Sequence, residues 1–254
     1  MKTISTWGTH ETERFLLAVP WQFSYFWFAM TSSLFSTISL FRKDFRSELR
    51  TRYALNALLM FVVTAVSTIL FALREDQPTS TVLAGMYWVV VFFSGMSGLS
   101  RIFVSEEERG TTMTLQLVAS PGVIYTGKLL FNILLTLSLT VAVTILYLFI
   151  FSGSFIIQSF AIFLTTVILG SMGFASAATI IAAIVAKANT RGTLYPVLSF
   201  PILIVLLMTV MSATAKALDG LPFAEAMGDF QVLIGYFLVM TAGSYLLFDF
   251  IWKD

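Results

Sequence analysis

A long run without a charged side chain, Leu129–Ala186, most constrains the fold of this chain. A helix that crosses a bilayer needs about 20 apolar residues, so the run is long enough for two crossings. Its middle holds the sequence SGS at 152–154, and small polar residues of this kind favour a turn. The run therefore predicts two antiparallel transmembrane helices, over about 129–151 and 156–182.

Four further charge-free runs of similar size surround this one. They are Tyr53–Leu73, Gln77–Ser100, Gly192–Ala215 and Phe230–Phe248. Only 11 % of the residues are charged and 57 % are hydrophobic, whereas a soluble domain is about 25 % charged. The sequence thus predicts an all-α integral membrane protein in which residues 53–252 form six transmembrane helices.

Basic residues predict the orientation of these spans, because lysine and arginine in short loops mark the cytoplasmic side. Only Arg74 and Lys216 flank the spans on one side. The basic residues on the other side are Arg42, Lys43, Arg46, Arg50, Arg52, Arg101, Arg109, Lys128, Lys187, Arg191 and Lys253. Both ends of the six-span core are therefore predicted to be cytoplasmic, with Lys128 marking the point where the chain re-enters the membrane.

Residues 37–52 predict an amphipathic helix before the first span. An apolar stripe recurs at three- and four-residue steps, and basic residues fall off that stripe. The stripe comprises Ile38, Phe41, Phe45 and Leu49, and the basic residues are Arg42, Lys43, Arg46 and Arg50. Such a helix lies along the cytoplasmic leaflet, either as a topology anchor or with a polar face that also touches a cytosolic partner.

Residues 1–36 form an N-terminal extension in this reading. The stretch Phe15–Phe41 also lacks charge, but proline, glutamine and serine dilute its apolar character. It has no small-residue cleavage site of a signal peptide. We expect residues 1–29 to be accessory, with Met30 as an alternative start.

The segment SEEERGTTMTLQLVASP at 105–121 places charge between two apolar runs. Acidic residues continue the second span into water, a glycine then ends the helix, and a threonine caps a new one. Met113, Leu117 and Val118 give that helix an apolar side. We predict a short helix parallel to the membrane whose acidic and arginine edge fits a socket in a partner; the alternative is a solvated loop. The predicted contacts are Glu106, Glu107, Glu108, Arg109, Gly110, Thr111, Thr112 and Leu115.

Proline and glycine in the later spans predict either ordinary packing or moving parts. Pro196 and Pro201 each remove a backbone donor and kink a helix, which a membrane tolerates where neighbours or a cavity satisfy the freed carbonyls. Gly170 and Gly173 allow another helix to approach closely.

Several classes of function are excluded or disfavoured. The net charge of +1 argues against nucleic acid as a partner. The chain has no cysteine and one histidine, His10, so we expect no metal site in the membrane. Apart from Asp249 the spans hold no ionisable residue for a proton or sodium relay, and no phosphate-binding G-x-x-x-x-G-K-[ST] loop is present. Another subunit must supply the energy if the chain drives transport.

The sequence resembles a known family in three places. SEEERGTTMTLQLVASPGVIYTGKLLFN resembles the acid-rich, E-x-G-T, L-x-L-x-x-(A/S)-P and G-K signature of ABC-2-type permeases, and more closely that of the heme exporter protein B (CcmB) family of cytochrome c maturation. FRKDFRSELRTRYALNALLMFVV is similar to that family's opening helix and first span. MGFASAATIIAAIVAKANTRGTLYPVLSFPILIVLL is similar to its fourth and fifth spans. The resemblance covers residues 38–252, and the chain departs from the family in its first 30-odd residues.

The resemblance implies the membrane subunit of an ABC complex in the bacterial inner membrane. Its implied partners are a cytosolic ATP-binding subunit, a heme-handling membrane subunit and a small helper, with two copies of this chain over two ATPase copies. Segment 105–121 would be the coupling helix in the ATPase cleft. Closure of that cleft on ATP would push spans 2 and 3, and span 5 would yield at its prolines.

Heme and ATP are not expected to bind to this chain itself. An axial heme ligand is usually His, Cys, Met or Tyr, and the membrane region has neither His nor Cys. We therefore expect heme to be present in the complex without being ligated here, with ATP hydrolysis releasing a heme-loaded chaperone. Two alternatives remain open: a generic ABC-2 exporter of lipid, drug or polysaccharide, and a non-transporting membrane assembly scaffold.

Overall fold

The computed structural model describes residues 34–48, 53–73, 78–99, 102–103, 106, 110–187 and 191–253. Over these residues the chain is helical, with short turns and no strand. The helices are α1 (34–48), α2 (Tyr53–Ala72), α3 (Ser80–Leu99), α4 (Thr112–Val118), α5 (Pro121–Ile150), α6 (Phe160–Lys187), α7 (Arg191–Leu218) and α8 (Met227–Lys253), and a 3-10 turn at Phe223–Ala226 precedes α8.

Five of these helices, α3 and α5 to α8, are long and apolar enough to cross a membrane. The first predicted span corresponds to α2, whose stretch Leu58–Ala72 is apolar but shorter than the other five. The chain is therefore a multi-pass helical membrane protein, and the count of six spans stays a prediction. A turn at 151–154 separates α5 from α6, as the SGS sequence predicts.

The helix α6 lies at the centre of the bundle and packs against α5, α7 and α8. Its glycines bring neighbouring helices close. A Cβ atom on Gly170 would lie 2.8 Å from both Trp88 and Val210, and one on Gly173 would lie 2.5 Å from Leu206. Because no larger side chain fits without displacement, the small residues of this span support close packing, the first of the two readings given above.

One face of α5 is polar and buried. Asn132, Thr136 and Thr140 recur at four-residue steps and are inaccessible to solvent. The Asn132 side-chain amide donates to Thr179 Oγ1 at 2.8 Å, and Thr136 and Thr140 donate to the carbonyl four residues earlier. Each hydroxyl thus has a partner, which a bilayer interior requires.

Contacts between helices define two ends of the bundle. At one end Lys216 Nζ lies 2.8 Å from Asp229 Oδ2, and Ser80 on α3 bonds Asp219. At the other end Lys187 Nζ lies 6.0 Å from the ring centroid of Trp252. Lys187 and Lys216 therefore lie at opposite ends, in agreement with the alternation of basic residues. Which end faces the cytoplasm stays a prediction.

Several predicted boundaries differ from those of the structure. The fourth span, for example, is predicted over about 156–182, whereas α6 covers Phe160–Lys187. The amphipathic helix is predicted over 37–52, whereas α1 covers 34–48, and 49–52 lie outside the described residues. The third span is predicted to begin at about residue 129, whereas α5 begins at Pro121, which occupies the first helical turn. Proline suits that position because its missing N–H would have no partner there. The residues before 34, including Met30, also lie outside the described part.

Candidate functional site

The predicted short helix is present as α4, between the end of α3 and the start of α5. Gly110 has a φ of +66°, a conformation that favours glycine because it has no Cβ. The backbone N–H of Thr111 donates to the carbonyl of Glu106 at 3.0 Å. A left-handed glycine followed by such a bond is the Schellman arrangement that ends a helix, which confirms the role predicted for Gly110.

Thr111 is the N-cap of α4, but its side chain does not cap the helix. Its Oγ1 instead donates to the Glu106 side chain, with 2.5 Å to Oε2, and lies 3.2 Å from the Glu106 carbonyl. The connection from α4 to the next helix is short. Ala119, directly after α4, is extended, and α5 begins at Pro121. As a result, α4 is joined to α5 through only two residues, which leaves little freedom between them.

The apolar side of α4 is exposed and not packed on the bundle. The exposed fractions are 74 % for Met113, 84 % for Leu117 and 79 % for Val118. Leu115, on the opposite side of the helix, is partly buried against the core, and the Gln116 side-chain amide donates to the Trp252 carbonyl on α8 at 2.6 Å. Thus α4 is held to the bundle on one side and presents three apolar side chains on the other.

Four charged side chains beside α4 form a cluster that we call the ionic clamp: Lys43, Asp44, Glu106 and Lys128. Lys128 Nζ lies 3.0 Å from Glu106 Oε1 and 3.0 Å from Asp44 Oδ2. Lys43 Nζ lies 2.5 Å from Glu106 Oε1 and 3.5 Å from Asp44 Oδ1. Two positive and two negative charges therefore balance within the cluster.

The ionic clamp is buried except at Lys43. Lys128 is 2 % exposed, and its Nζ also donates to the carbonyl of Ile102 at 3.2 Å. Next to it, a Cβ on Gly127 would lie 3.1 Å from Leu40 Cβ, so α1 approaches α5 closely at this level. A side chain at position 127 would push Leu40 away by a few tenths of an ångström, so glycine favours the approach that brings Asp44 within reach of Lys128.

The carboxyl group of Glu106 is held in its charged form. Burial by itself raises its pKa, but the positive charge of Lys128 and hydrogen bonds from Lys43, Thr111 and Lys128 outweigh that effect. The result is a pKa lowered to about 2. A carboxylate that accepts several hydrogen bonds beside a cation is expected to behave in this way.

One expectation for a charged residue is wrong. Glu106 is predicted to continue a helix into water, but it is buried and paired with lysine. Pairing removes most of the cost of burying a charge, and hydropathy along the sequence does not show pairing. Lys128, which is predicted to mark the re-entry point, lies in α5 and is buried with its charge paired; its level relative to the membrane stays a prediction.

The remaining predicted site residues are distributed as follows. Gly110, Thr111, Thr112 and Leu115 lie at or in α4. Arg42 and Arg46 on α1 are exposed, whereas Lys43 belongs to the ionic clamp. Glu107, Glu108, Arg109 and Arg50 lie outside the described residues. Contact of any of these residues with a partner stays a prediction.

The predicted apolar stripe of α1 packs against the bundle only in part. Ile38 and Phe45 are exposed, Phe41 is partly buried against the core, and Leu49 is outside the described part. The residues of α1 that are buried are Thr37 and Asp44. The helix thus turns Thr37 and Asp44 toward the bundle, with Phe41 partly buried beside them, and leaves Ile38 and Phe45 outward, where a lipid surface would meet them.

Pro196 and Pro201 both lie within one helix, α7, which runs from Arg191 to Leu218. They therefore do not end the helix, and a hinge at these positions stays a prediction. One residue beyond Pro201, the carbonyl of Ile202 accepts a hydrogen bond from the Tyr236 hydroxyl at 3.0 Å. This bond ties α7 to α8 next to the proline.

Sequence reasoning missed three residues of this site. Asp44 is one acid among several basic residues on α1, and Gln116 has no pattern that singles it out. For Lys128 a signal existed: Asn132, Thr136 and Thr140 follow it at four-residue steps, so that all four share one face of a helix. A polar face on a transmembrane helix has to point into the bundle, and Lys128 lies on that face.

Comparison with protein families gives a match to the family described as CcmB protein, over residues 35–251. The match begins one residue after the described start of α1 and ends two residues before the end of α8. Comparison with curated proteins gives no match.

Proposed function

Because the chain belongs to the family of CcmB proteins, the permease subunits of heme exporters in cytochrome c maturation, we propose that segment 105–121 receives the motion of a separate ATP-binding subunit. The chain itself is a multi-pass transporter subunit and not an enzyme. Within the ABC complex of this family, ATP hydrolysis belongs to the partner. The finer proposal is that α4 is the coupling helix that fits the cleft of that partner.

The exposed apolar side of α4 carries this proposal. Met113, Leu117 and Val118 lie together on a seven-residue helix outside the five spans. Burying one such side chain contributes about 1.5–3 kcal/mol, so a partner groove that takes all three gains substantial binding energy. A solvated loop has no comparable reason to keep three large apolar side chains in water.

The attachment of α4 supports transfer of motion into the membrane. Two residues join it to α5, and Gln116 bonds it to the last helix, α8. A force on α4 therefore acts directly on two spans. We propose that α7 yields at Pro196 and Pro201 when these spans move.

We further propose that α4 and both ends of the six-span core face the cytoplasm and that the membrane is the bacterial inner membrane. The basic residues at that end support this orientation. The proposed complex contains two copies of this chain, two ATP-binding subunits, a heme-handling membrane subunit and a small helper. The exposed apolar side chains of α1 would lie against lipid.

Heme is proposed to be the cargo of the complex without a ligand in this chain. The sequence offers no cysteine and only His10 as an imidazole, and His10 precedes every span. ATP hydrolysis would then release a heme-loaded chaperone from the complex. A heme-dependent absorbance band from the purified chain alone would contradict this part of the proposal.

Cysteine crosslinking tests the coupling role, and the native chain provides a background without cysteine. Leu117→Cys is expressed with the ATP-binding subunit and crosslinked with and without nucleotide; Leu221→Cys, at the opposite end of the bundle, is the control. We expect a crosslink at Leu117→Cys whose yield depends on nucleotide, and none at Leu221→Cys. If the complex is intact but Leu117→Cys gives no crosslink, the coupling role is contradicted. A crosslink whose yield is the same with and without nucleotide would favour the non-transporting assembly scaffold.

A further inference from the structure

We propose that Lys128 is a positioning residue for coupling: through the ionic clamp it fixes α4 to α1 and α5, so that these three helices move as one unit. The proposal rests on the proposed function, since it concerns how the coupling helix is held. It assigns to Lys128, Asp44 and Glu106 a role inside the chain, in place of a contact with a partner. Three observations support it.

The first observation is that Lys128, on α5, joins two other segments through its ammonium group. Nζ contacts Asp44 on α1, and it contacts Glu106 and the carbonyl of Ile102 between α3 and α4. Two of these contacts are hydrogen bonds, to Glu106 Oε1 and to the Ile102 carbonyl, and the contact with Asp44 is an ion pair at 3.0 Å. Lys128 itself belongs to α5, and its four-carbon stem packs beneath the cluster, since the residue is 2 % exposed.

The second observation is that the two carboxylate oxygens of Glu106 hold different elements. Oε1 accepts from Lys43 and Lys128, which belong to α1 and α5. Oε2 accepts from Thr111 Oγ1, and Thr111 directly precedes α4. Together with the bond from the Thr111 N–H to the Glu106 carbonyl, this fixes the start of α4 to the cluster.

The third observation is the close contact between α1 and α5 beside the clamp. A Cβ on Gly127 would meet Leu40 Cβ at 3.1 Å and the Thr37 carbonyl at 3.4 Å. The two helices are therefore packed backbone to side chain at the residue before Lys128. Sliding α1 along α5 would break this contact and also separate Asp44 from Lys128.

Charge balance explains why such a cluster positions helices. Separating Lys128 from Asp44 or from Glu106 deprives a buried charge of a buried counter-charge, which is strongly unfavourable. The ionic clamp therefore opposes displacement of α4 relative to α1. If α1, α4 and α5 move together, the contacts within the clamp are kept and no such cost arises. A force applied at Leu117 would then reach α1 as well as α5.

The test measures the distance between spin labels on α1 and α4 within one chain. Arg46→Cys and Leu117→Cys are labelled, because both side chains are exposed, and labelled chains are diluted with unlabelled ones to remove distances between copies. The full complex in nanodiscs is measured with and without nucleotide. The variants are Lys128→Met and Thr111→Val, with Lys216→Met, a lysine paired at the opposite end, as the control.

With the clamp intact we expect one narrow distance distribution that does not change with nucleotide. Lys128→Met and Thr111→Val broaden it, and in Thr111→Val the nucleotide-dependent crosslink from Leu117→Cys falls about tenfold while the ATP-binding subunit still binds. Lys216→Met changes neither. If Lys128→Met does not fold, the distance distribution of Thr111→Val alone tests the proposal.

Two results would overturn the proposal. One is a distribution in Lys128→Met or Thr111→Val that superimposes on that of the unmutated chain. The other is a distance that shifts with nucleotide although the clamp is intact, because α1 and α4 then move separately. The distance between the two spin labels is also measured in the isolated chain, so that this test does not depend on docking of the ATP-binding subunit. If Leu117→Cys never crosslinks to that subunit, the proposed function fails. Broadening of the distance distribution in the variants would then still show whether the ionic clamp holds α4 to α1.

Discussion

Lys128 Nζ on α5 lies 3.0 Å from Glu106 Oε1, and both side chains are buried. Twenty-two residues separate the two in sequence, and α4 forms between them. The pair closes a loop that contains the proposed coupling helix. Both the stability of this end of the bundle and the position of α4 should therefore depend on it.

Lys128→Met should destabilise the chain by about 3–5 kcal/mol, because removal of this lysine leaves two buried carboxylates with too little positive charge beside them. Asp44 and Glu106 would then share Lys43 alone. The free energy of unfolding in detergent, followed by helix circular dichroism against denaturant, measures the loss. Lys216→Met is the matched control, since its pair with Asp229 is partly exposed and should cost at most about 1 kcal/mol. Equal losses in the two variants would contradict the special role of Lys128.

Leu117→Ala should weaken binding of the ATP-binding subunit by about 10- to 100-fold, because burial of a leucine side chain at an interface is worth about 1.5–3 kcal/mol. The fold of the chain should be unaffected, since Leu117 is 84 % exposed. Binding can be titrated with labelled ATP-binding subunit on chains in nanodiscs. Leu221→Ala, at the opposite end, should bind as the unmutated chain does, and an equal affinity for Leu117→Ala would show that α4 is not buried in the partner.

Lowering the pH should remove the contribution of Glu106 to stability. Its pKa is about 2 in the folded chain, below its ordinary value of 4.5. The contribution is thus fully present above about pH 4.5 and is lost as the pH falls toward 2. The difference in unfolding free energy between the unmutated chain and Glu106→Gln should be constant from about pH 8 to pH 6 and should shrink below pH 4.5.

Glu225→Gln is the control for that titration, because Glu225 is an exposed acid at the opposite end of the bundle. Because the side chain is exposed, this substitution should change the free energy of unfolding little. A difference for Glu106→Gln that already declines between pH 8 and pH 6 would mean that the carboxyl group is protonated far more easily than its pairing with Lys43 and Lys128 allows.

Much of the site could be predicted from local sequence. The short helix follows from a glycine, two threonines and a proline at fixed spacing, and α4 ends and begins where these residues predict. The turn at 152–154 also follows from three small residues in a long apolar run. In each case the residues that predict the turn or helix end lie within a few positions of it in the sequence. Local backbone preferences are therefore enough to predict it.

The ionic clamp could not be predicted in the same way. Lys43 and Glu106 lie 63 residues apart, and only the packing of α1 against α5 brings them together. Hydropathy treats Lys128 as the end of a span because it assigns every lysine the cost of an unpaired charge. Most of that cost is offset by two carboxylates at 3.0 Å, and this pairing is a property of the tertiary structure and not of the local sequence.

Gly110→Ala should shift α4 through the backbone alone. Gly110 has a φ of +66°, and nothing lies within 4 Å of a Cβ built on it, so the added methyl group meets no neighbour. The left-handed conformation costs an alanine about 1–2 kcal/mol, and relief of that strain would break the bond from the Thr111 N–H to the Glu106 carbonyl. We expect a loss of about 1 kcal/mol in stability and a lower nucleotide dependence of the crosslink from Leu117→Cys.

Gly153→Ala is the matched control for this change. A Cβ on Gly153 also meets nothing within 4 Å, but its φ lies outside the positive range, so alanine should be tolerated there without loss. Gly110→Asn separates strain from side-chain size, because asparagine adopts the left-handed conformation more readily than alanine. It should therefore retain more of the stability and of the crosslink than Gly110→Ala does. If alanine and asparagine at 110 behave alike and both match Gly153→Ala, the turn before α4 does not depend on the left-handed backbone of Gly110.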